Sequence, residues 1–196
     1  GFEADDLIAT YVNLAEKDEI KTIIVSSDKD LMQLVSKNVT MLDPMKNKKI
    51  EIKDVEEKFG VKPDKVIFIQ ALTGDKVDNI PGAPGIGPKT ASQLINEFNN
   101  IDGLLKNTDK IKQDKRRNIL IEAEKDIRIS LELVTLKNDV KIPHKINEII
   151  TYNELKKENN SIFEFLKEQG FKSISERLKT NSFISSTNDN VNFKKE

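Results

Sequence analysis

The sequence of 196 residues predicts an α/β fold, in which a partial parallel sheet with flanking helices precedes a region that is nearly all helix. Residues 5–17 carry apolar side chains at helical spacing. The β-branched run at residues 22–26 follows and is typical of a buried parallel strand. From residue 88 onward, helical periodicity dominates, which indicates a second, helical region.

The remaining elements follow the same order along the chain. A short helix is expected at 30–36 and a second strand at 39–42. Asp54 with Glu57 predicts a capping box for a helix that ends at Gly60. Further helices are expected at 63–72, 88–98, 101–106, 115–125, 126–136, 152–158, 161–169 and 173–178.

Composition excludes several kinds of chemistry. The chain has no Cys and one His, which excludes disulfides, thiolate zinc sites and catalysis by a Cys–His pair within it. The net charge of -1 does not indicate a nucleic-acid partner, although a balanced total can conceal segregated charge. No apolar run approaches the roughly 20 residues that span a bilayer, and we expect a cytoplasmic protein without membrane contact.

Carboxylates fall in three short clusters. The first acidic cluster is Glu3, Asp5 and Asp6, the second is Asp28 and Asp30, and the third is Asp75 and Asp78. Carboxylates that converge on one cleft repel one another, and hard divalent cations with oxygen ligands offset that repulsion. Paired cations of this kind are typical of enzymes that cut nucleic acid. We therefore interpret the three clusters as ligands of two divalent ions.

Each cluster also has a purely structural interpretation. The first cluster and Asp28 begin predicted helices, where Asp caps free N–H groups and interacts favourably with the helix dipole. Viewed alone, either of these two clusters is explained better by capping. The third cluster follows a helix C-terminus, where negative charge is unfavourable, so capping explains it less well. The joint occurrence of the three clusters favours the metal site.

A glycine-rich motif lies between residues 80 and 91. Gly85 and Gly87 permit a tight turn with positive φ, and Pro88 suits the first turn of the next helix. Free N–H groups at that helix start can bind an anion. The motif is typical of a helix–hairpin–helix, whose backbone amides bind nucleic-acid phosphate, and the alternative is a generic loop-to-helix turn. The predicted DNA-binding residues are Gly82, Gly85, Ile86, Gly87, Lys89 and Thr90.

Basic residues are concentrated at 110–117. Of these, Lys115, Arg116 and Arg117 are predicted to follow a duplex backbone, although a charge run is more often a solvated helix face. Lys29 and Lys76 lie inside the second and third clusters, where they either steer a phosphate or remain solvated surface.

Together these motifs resemble the 5′ nuclease family, which includes the 5′–3′ exonuclease domain of bacterial DNA polymerase I and the flap endonucleases. The resemblance depends on Gly-Phe-Glu-Ala-Asp-Asp, Ser-Asp-Lys-Asp, Ala-Leu-Thr-Gly-Asp-Lys-Val-Asp-Asn and Gly-Ile-Gly-Pro-Lys-Thr-Ala, and it covers about residues 1 to 180. It implies a PIN/resolvase-like nuclease core at 1–74 and a SAM-like helix–hairpin–helix subdomain at 75–179. Residues 180–196, rich in Ser, Asn, Thr and Lys, are expected to form a flexible linker or tail.

The resemblance implies a divalent-metal-dependent 5′–3′ exonuclease or 5′ flap endonuclease that hydrolyses DNA phosphodiesters in replication and repair. The implied cofactors are two Mg²⁺ or Mn²⁺ ions at the three acidic clusters, and K⁺ at the carbonyls of the 82–90 loop. The implied catalytic residues are Asp5, Asp6, Asp28, Asp30, Asp75 and Asp78, with Glu3 as a further metal ligand. The implied partner is DNA with a 5′ end or flap and a downstream duplex, bound by a monomer. The resemblance leaves open whether the full-length protein continues into polymerase domains or is a separate nuclease.

Two parts of the family pattern are missing from the sequence. The family's first strand, with its leading metal-binding aspartate, and its basic arch would both precede Gly1, so we expect the chain to be a fragment. Val77 stands where serine is frequent in the family. These departures keep a second hypothesis open, a structure-specific DNA-binding module without catalysis.

Overall fold

The computed structural model describes residues 1–149 and 159–185. It divides the chain into two compact units, Gly1–Ile146 and Asn147–Glu196. The helix expected at 152–158 lies outside the described residues. Within the described ranges, no helix is long and apolar enough to cross a membrane.

The first unit opens with an α/β arrangement. Its elements are helix α1 (Ala4–Lys17) and strands β1 (Thr22–Val25), β2 (Val39–Asp43) and β3 (Lys48–Ile50). β1 and β2 pair in parallel, which confirms the predicted partial parallel sheet. β3 was not predicted, because three residues are too few for a periodic pattern. It pairs antiparallel with β2 after a tight turn in which Asn47 adopts a φ of 48°.

The prediction that β1 is a fully buried strand is wrong. Ile23 is 64% exposed and Val25 is 63% exposed, whereas Ile24 is buried. The reason is that successive side chains of β1 point to opposite faces of the sheet, and only the face that Ile24 shares packs against the core. β2 is central and does bury alternate residues, Val39, Met41 and Asp43.

Helix α2 (Ile52–Phe59) begins earlier than predicted, and its capping box is different. The N-cap is Glu51, whose N–H donates to the Asp54 carboxylate at 2.9 Å. Asp54 is therefore the third helical residue, at the end of the box, and not its N-cap. The predicted end at Gly60 is confirmed by its left-handed φ of 71°.

Helices dominate the rest of the first unit. They are α3 (Val66–Thr73), α4 (Pro88–Phe98), α5 (Ile101–Lys106), α6 (Asp114–Glu122) and α7 (Glu124–Val134). A 3-10 turn at Pro63–Lys65 leads into α3, which is the most apolar helix and packs against α4 and α7. Because α3 is central to the core, the loop that follows it has a firmly held starting point.

The second unit contains helices α8 (Asn159–Glu168) and α9 (Lys172–Ser185). Gly170, with a φ of 71°, makes the turn between them. α9 continues past the predicted end at residue 178, because Lys172–Ser185 contains no Gly or Pro that would interrupt it.

Candidate active site

The second acidic cluster lies just beyond the carboxyl end of β1. A local turn fixes it: the Asp28 N–H donates to Ser26 Oγ at 3.0 Å, and the Asp30 N–H donates to Asp28 Oδ1 at 2.9 Å. In open α/β sheets this edge is where ligands bind. Asp30 then begins a short 3-10 helix, Asp30–Leu34, so the local chain direction positions both carboxylates at the same edge.

The third acidic cluster is held by a closed backbone loop. The Asp75 N–H donates to the Ile80 carbonyl at 3.0 Å, and the Ile80 N–H donates to the Asp75 carbonyl at 2.7 Å. Asp75 Oδ1 also accepts the Val77 N–H at 2.8 Å. Asp75 is half-buried, and Asp78 is exposed at the tip of the loop.

Two glycines close this loop against the end of α3. A Cβ on Gly74 would lie 2.5 Å from the Ile80 carbonyl oxygen, and one on Gly82 would lie 2.4 Å from the Gly74 nitrogen. Both have positive φ. Glycine is therefore needed at both positions for close backbone approach, and the loop carries Asp75 in one defined place.

The first acidic cluster is divided between two roles. Asp6 Oδ2 accepts the Glu3 N–H at 3.2 Å, and Asp6 Oδ1 accepts the Lys137 N–H at 2.9 Å. Asp6 thus caps α1 and fastens it to the segment after α7, as the capping interpretation predicts. Asp5, one residue earlier, is half-buried and lies near the second cluster.

Electrostatic coupling joins the three clusters. Burial raises the pKa of Asp5, and the charges of Asp28 and Asp30 raise that pKa further. Burial likewise raises the pKa of Asp30, with Asp28, Asp78 and Asp75 contributing in the same direction. The structure therefore brings residues from all three clusters close enough to repel one another.

One ammonium group lies among these acids. Lys29 Nζ pairs with Asp75 Oδ2 at 2.5 Å. This bond lowers the pKa of Asp75 and raises the pKa of Lys29. Lys29 is thus the counter-ion of Asp75 in the third cluster.

The acids are neighbours without converging on a single point. In residues 1–149 and 159–185, no group of three or more Asp, Glu, His or Cys side chains is arranged to hold a metal ion. The physical reason is that adjacent carboxylates repel and that Asp6 and Asp75 are bound by backbone N–H groups and Lys29. The donors are nevertheless all hard oxygens, which is the chemistry that Mg²⁺ and Mn²⁺ prefer.

A concavity of about 410 Å³ opens beside Asp30 and Asp75. Two polar side chains in its lining, Gln70 and Lys58, were missed from the sequence. Gln70 Nε2 donates to Asp30 Oδ1 at 2.5 Å, while no group of the described residues donates to its buried Oε1. Lys58 lies on the amphipathic helix α2 and Gln70 on the apolar helix α3, and nothing in their spacing distinguishes them from other residues of these helices.

The glycine-rich turn forms largely as predicted. The Ile86 N–H donates to the Ala83 carbonyl at 3.1 Å, with Gly85 at a φ of 79°, which suits a type II turn. The expectation of positive φ at Gly87 is wrong, because its φ is -89° as the extended N-cap of α4. Pro88 is the first residue of α4, as predicted.

A buried serine fastens this turn to α7. Ser130 is fully buried, and its Oγ accepts the Gly82 N–H at 2.9 Å. The Ala83 N–H donates to the Leu72 carbonyl at 2.8 Å, so the turn is fixed to α3 as well. Ser130 was not predicted, since a single Ser in a helix has no distinctive pattern.

The basic run lies beside the turn. A concavity of about 420 Å³ is lined by Gly85, Ile86, Thr90, Gln113, Lys115, Arg116 and Ile119. Lys115 and Arg116 therefore lie with the turn, whereas Arg117 does not line the concavity. The Arg117 guanidinium donates to Asp114 at 2.6 Å and to the Ile111 carbonyl at 3.3 Å. Lys89 is exposed on the first turn of α4 and lies outside this lining.

Acidic side chains lie at the carboxyl edge of a sheet, and a glycine-rich turn with Lys115 and Arg116 beside it follows in sequence. This combination favours the class of nucleic-acid-cutting α/β enzymes. Family models agree with this class in both halves of the chain. The model described as 5′-3′ exonuclease, N-terminal resolvase-like domain matches residues 1–60, and the model described as 5′-3′ exonuclease, C-terminal SAM fold matches residues 61–158. The chain belongs to the 5′–3′ exonuclease family.

Relatives and solved structures agree with this membership. A DNA polymerase I from Rhizobium leguminosarum is 49% identical over 91% of this chain and 17% of its own length. A 5′-3′ exonuclease from Aquifex aeolicus is 40% identical over 72% of this chain and 48% of its own length. The structure of a bacteriophage T5 5′-exonuclease with bound zinc has a TM-score of 0.65 and 28% identity, and covers 70% of this chain and 51% of that one. The chain thus spans half or less of the length of these two relatives.

Proposed function

We propose that this chain supplies most of the active site of a divalent-metal-dependent nuclease, which hydrolyses phosphodiesters of DNA at a 5′ end or flap. The observation that carries the proposal is the coupling of the acidic clusters at the carboxyl edge of β1. Asp30 and Asp75 line one concavity there, and Lys29 between Asp28 and Asp30 pairs with Asp75. The glycine-rich turn, with Lys115 and Arg116 beside it, follows the third cluster in sequence. A purely structural set of helix caps has no need to be gathered in this way.

The proposed ligands of two Mg²⁺ or Mn²⁺ ions are Glu3, Asp5, Asp6, Asp28, Asp30, Asp75 and Asp78. When bound, such ions supply a hydroxide from water at neutral pH and stabilise the charge on the leaving oxygen. The raised pKa values of Asp5 and Asp30 support the proposal, because a bound cation offsets both of their causes, first the burial of the charged carboxylates and then the repulsion between them. Asp6 is the weaker ligand of this set, because both of its carboxylate oxygens already accept hydrogen bonds from backbone N–H groups.

The proposed DNA-binding surface is the concavity between the glycine-rich turn and the start of α6. Lys115 and Arg116 place positive charge beside Gly85 and Thr90. Backbone amides and cations bind phosphate without reading bases, so we propose that the duplex is recognised by its backbone. A K⁺ ion at the carbonyls of the turn is proposed from the family resemblance.

Several wider features also remain proposals. They are the boundaries 1–74, 75–179 and 180–196, a monomeric and cytoplasmic state, and fusion to polymerase domains. The relatives named DNA polymerase I support the last of these.

A DNA-binding module without catalysis is the second candidate function. The observation that favours it is that the described acids do not already converge on one point. Calorimetric titration with Mg²⁺ separates the two candidates. For a nuclease we expect saturable Mg²⁺ binding that is lost in the Asp30→Asn variant. A module that only binds DNA shows no saturable Mg²⁺ binding.

The test of the nuclease uses Asp75→Ala and Asp78→Ala, with Glu56→Gln as a matched control on an exposed face of α2. We expect the two Asp variants to lose cleavage of a 5′-flap substrate by at least about a hundredfold while duplex binding changes little. The control keeps both activities. Unchanged turnover in Mg²⁺ for either Asp variant contradicts the assignment.

A further inference from the structure

The concavity beside the acidic clusters contains an ammonium group that the proposed mechanism does not use. Its lining joins the polar residues Asp30, Gln70 and Asp75 to apolar walls from Phe59, Ile69 and Val134. Lys29 and Lys58 are the lysines in this lining. Lys29 is neutralised by Asp75, so only Lys58 has positive charge to offer a ligand here.

Lys58 is held by groups that do not neutralise it. Its Nζ lies 3.6 Å from Met32 Sδ and 5.3 Å from the centre of the Phe59 ring. Among the described residues, no carboxylate oxygen lies within 4 Å of it. A sulfur and a ring fix the direction of the side chain but do not supply a full negative charge.

The electrostatic surroundings of Lys58 favour an anion. Burial lowers the pKa of Lys58, and the positive charges of Lys46 and Lys29 lower that pKa further. Asp30 and Asp28 act in the opposite direction but are weaker influences. With no described carboxylate in contact, this partly buried ammonium is stabilised when a negative group enters the concavity.

We infer that Lys58 binds a phosphodiester group of the DNA strand that lies against the acidic clusters. The inference rests on the proposed nuclease function and adds a residue that positions the strand. Phosphate is the anion that such a strand presents at every step, and an ammonium binds it as a point charge. The apolar side chains of Phe59, Ile69 and Val134 lower the local dielectric beside the pair, which strengthens the attraction. Because phosphate carries no base identity, the contact is independent of sequence.

The experiment combines the substitution of Lys58 with a series of DNAs in which single phosphates are neutralised. This chain is titrated against a fluorescent 5′-flap DNA in Ca²⁺, which limits cleavage, and against DNAs with one neutral methylphosphonate at each linkage near the flap junction. Lys58→Met removes the charge and keeps an apolar stem of similar length. Lys53→Met is the matched control, because Lys53 is exposed on the same helix and lies outside the concavity.

We expect the unmodified protein to lose roughly tenfold in affinity at one or two adjacent linkages. Lys58→Met should show a similar loss on unmodified DNA and no further loss at those linkages, whereas Lys53→Met keeps the full pattern. Additive losses for Lys58→Met at every linkage, or unchanged affinity for unmodified DNA, overturn the inference.

Two further measurements separate misfolding of the variant, failure of the proposed function and failure of the inference about Lys58. If Lys58→Met does not fold, Lys58→Arg and Lys58→Gln replace it, and only the Arg variant should keep the sensitivity to methylphosphonate. If the unmodified protein shows no preference for flap DNA and no saturable divalent-ion binding, the proposed function fails. If it shows both and Lys58→Met behaves as Lys53→Met does, the inference about Lys58 alone fails.

Discussion

The acidic clusters and the glycine-rich turn are neighbours along the chain, but they are built in different ways. The turn is made of backbone: Gly82 donates to Ser130, Ala83 donates to Leu72, and Ile86 closes the turn onto Ala83. The acidic clusters are made of side chains that repel one another: burial raises the pKa values of Asp5 and Asp30, and the charges of neighbouring carboxylates raise them further. A site built from backbone is therefore complete in the folded chain, whereas a site built from like charges depends on a counter-ion.

The largest expected effect comes from the glycine that both regions share. In Gly82→Ala the new Cβ would lie 2.4 Å from the Gly74 nitrogen, at a positive φ, and backbone atoms cannot move aside cheaply. We expect a loss of about 3 kcal/mol or more in the free energy of unfolding, measured in urea.

Gly85→Ala is the control for this prediction. Its φ of 79° is also positive, but a Cβ there meets nothing within 4 Å, so we expect a loss of only about 1 kcal/mol. Equal losses for the two variants would show that backbone approach does not hold the turn and Asp75 together.

The next effect separates two adjacent arginines of the basic run. Arg116 lines the concavity beside the turn, whereas Arg117 is bound to Asp114 and to the Ile111 carbonyl. We expect Arg116→Ala to weaken duplex binding several-fold for all sequences alike. The slope of log affinity against log salt concentration should fall by about one, which corresponds to the loss of one phosphate contact.

For Arg117→Ala we expect lower thermal stability and an unchanged salt dependence of binding. Fluorescence anisotropy at several salt concentrations measures both variants. A larger change in salt dependence for Arg117→Ala would reverse the assignment of the two residues.

The smallest effect tests repulsion within the acidic clusters. Because the pKa of Asp30 is raised in the folded protein, its ionised form lowers stability at neutral pH. This penalty is absent below the pKa of the unfolded chain and grows as the pH rises through the folded value. Asp30→Asn should therefore raise the free energy of unfolding near pH 7 by roughly 1 kcal/mol or less, given solvent screening, and leave it unchanged near pH 3.

Asp6→Asn should act in the opposite direction. Both Asp6 oxygens accept backbone N–H groups, and an amide would place an NH₂ against one of these donors. We expect a loss of about 1 to 2 kcal/mol in the free energy of unfolding near pH 7. Stabilisation by Asp6→Asn, or destabilisation by Asp30→Asn, would show that capping and repulsion are assigned to the wrong residues.

Much of the fold could be predicted because its signals are local. The apolar spacing of α1, the Gly60 end of α2 and the Pro88 start of α4 each depend on a few adjacent residues. The exposure of Ile23 and Val25 could not be predicted, since it depends on which face of the sheet the rest of the fold covers. β3 was missed for a similar reason: its three residues become a strand only by pairing with β2.

The candidate site divides in the same way. The acidic and glycine-rich motifs were visible as residue types at fixed spacing, because their chemistry is local. Lys58, Gln70 and Ser130 were invisible, because each acquires its role from a partner more than twenty residues away in sequence.

By itself the sequence determined the order of elements, the three acidic clusters, the turn and the family that these motifs resemble. Tertiary structure alone decided which carboxylates are neighbours, that Asp6 serves largely as a cap, and that Arg116 and not Arg117 lies beside the turn. The physical reason is that local propensity depends on adjacent residues, whereas charge repulsion and hydrogen bonding depend on distances that only the folded chain defines.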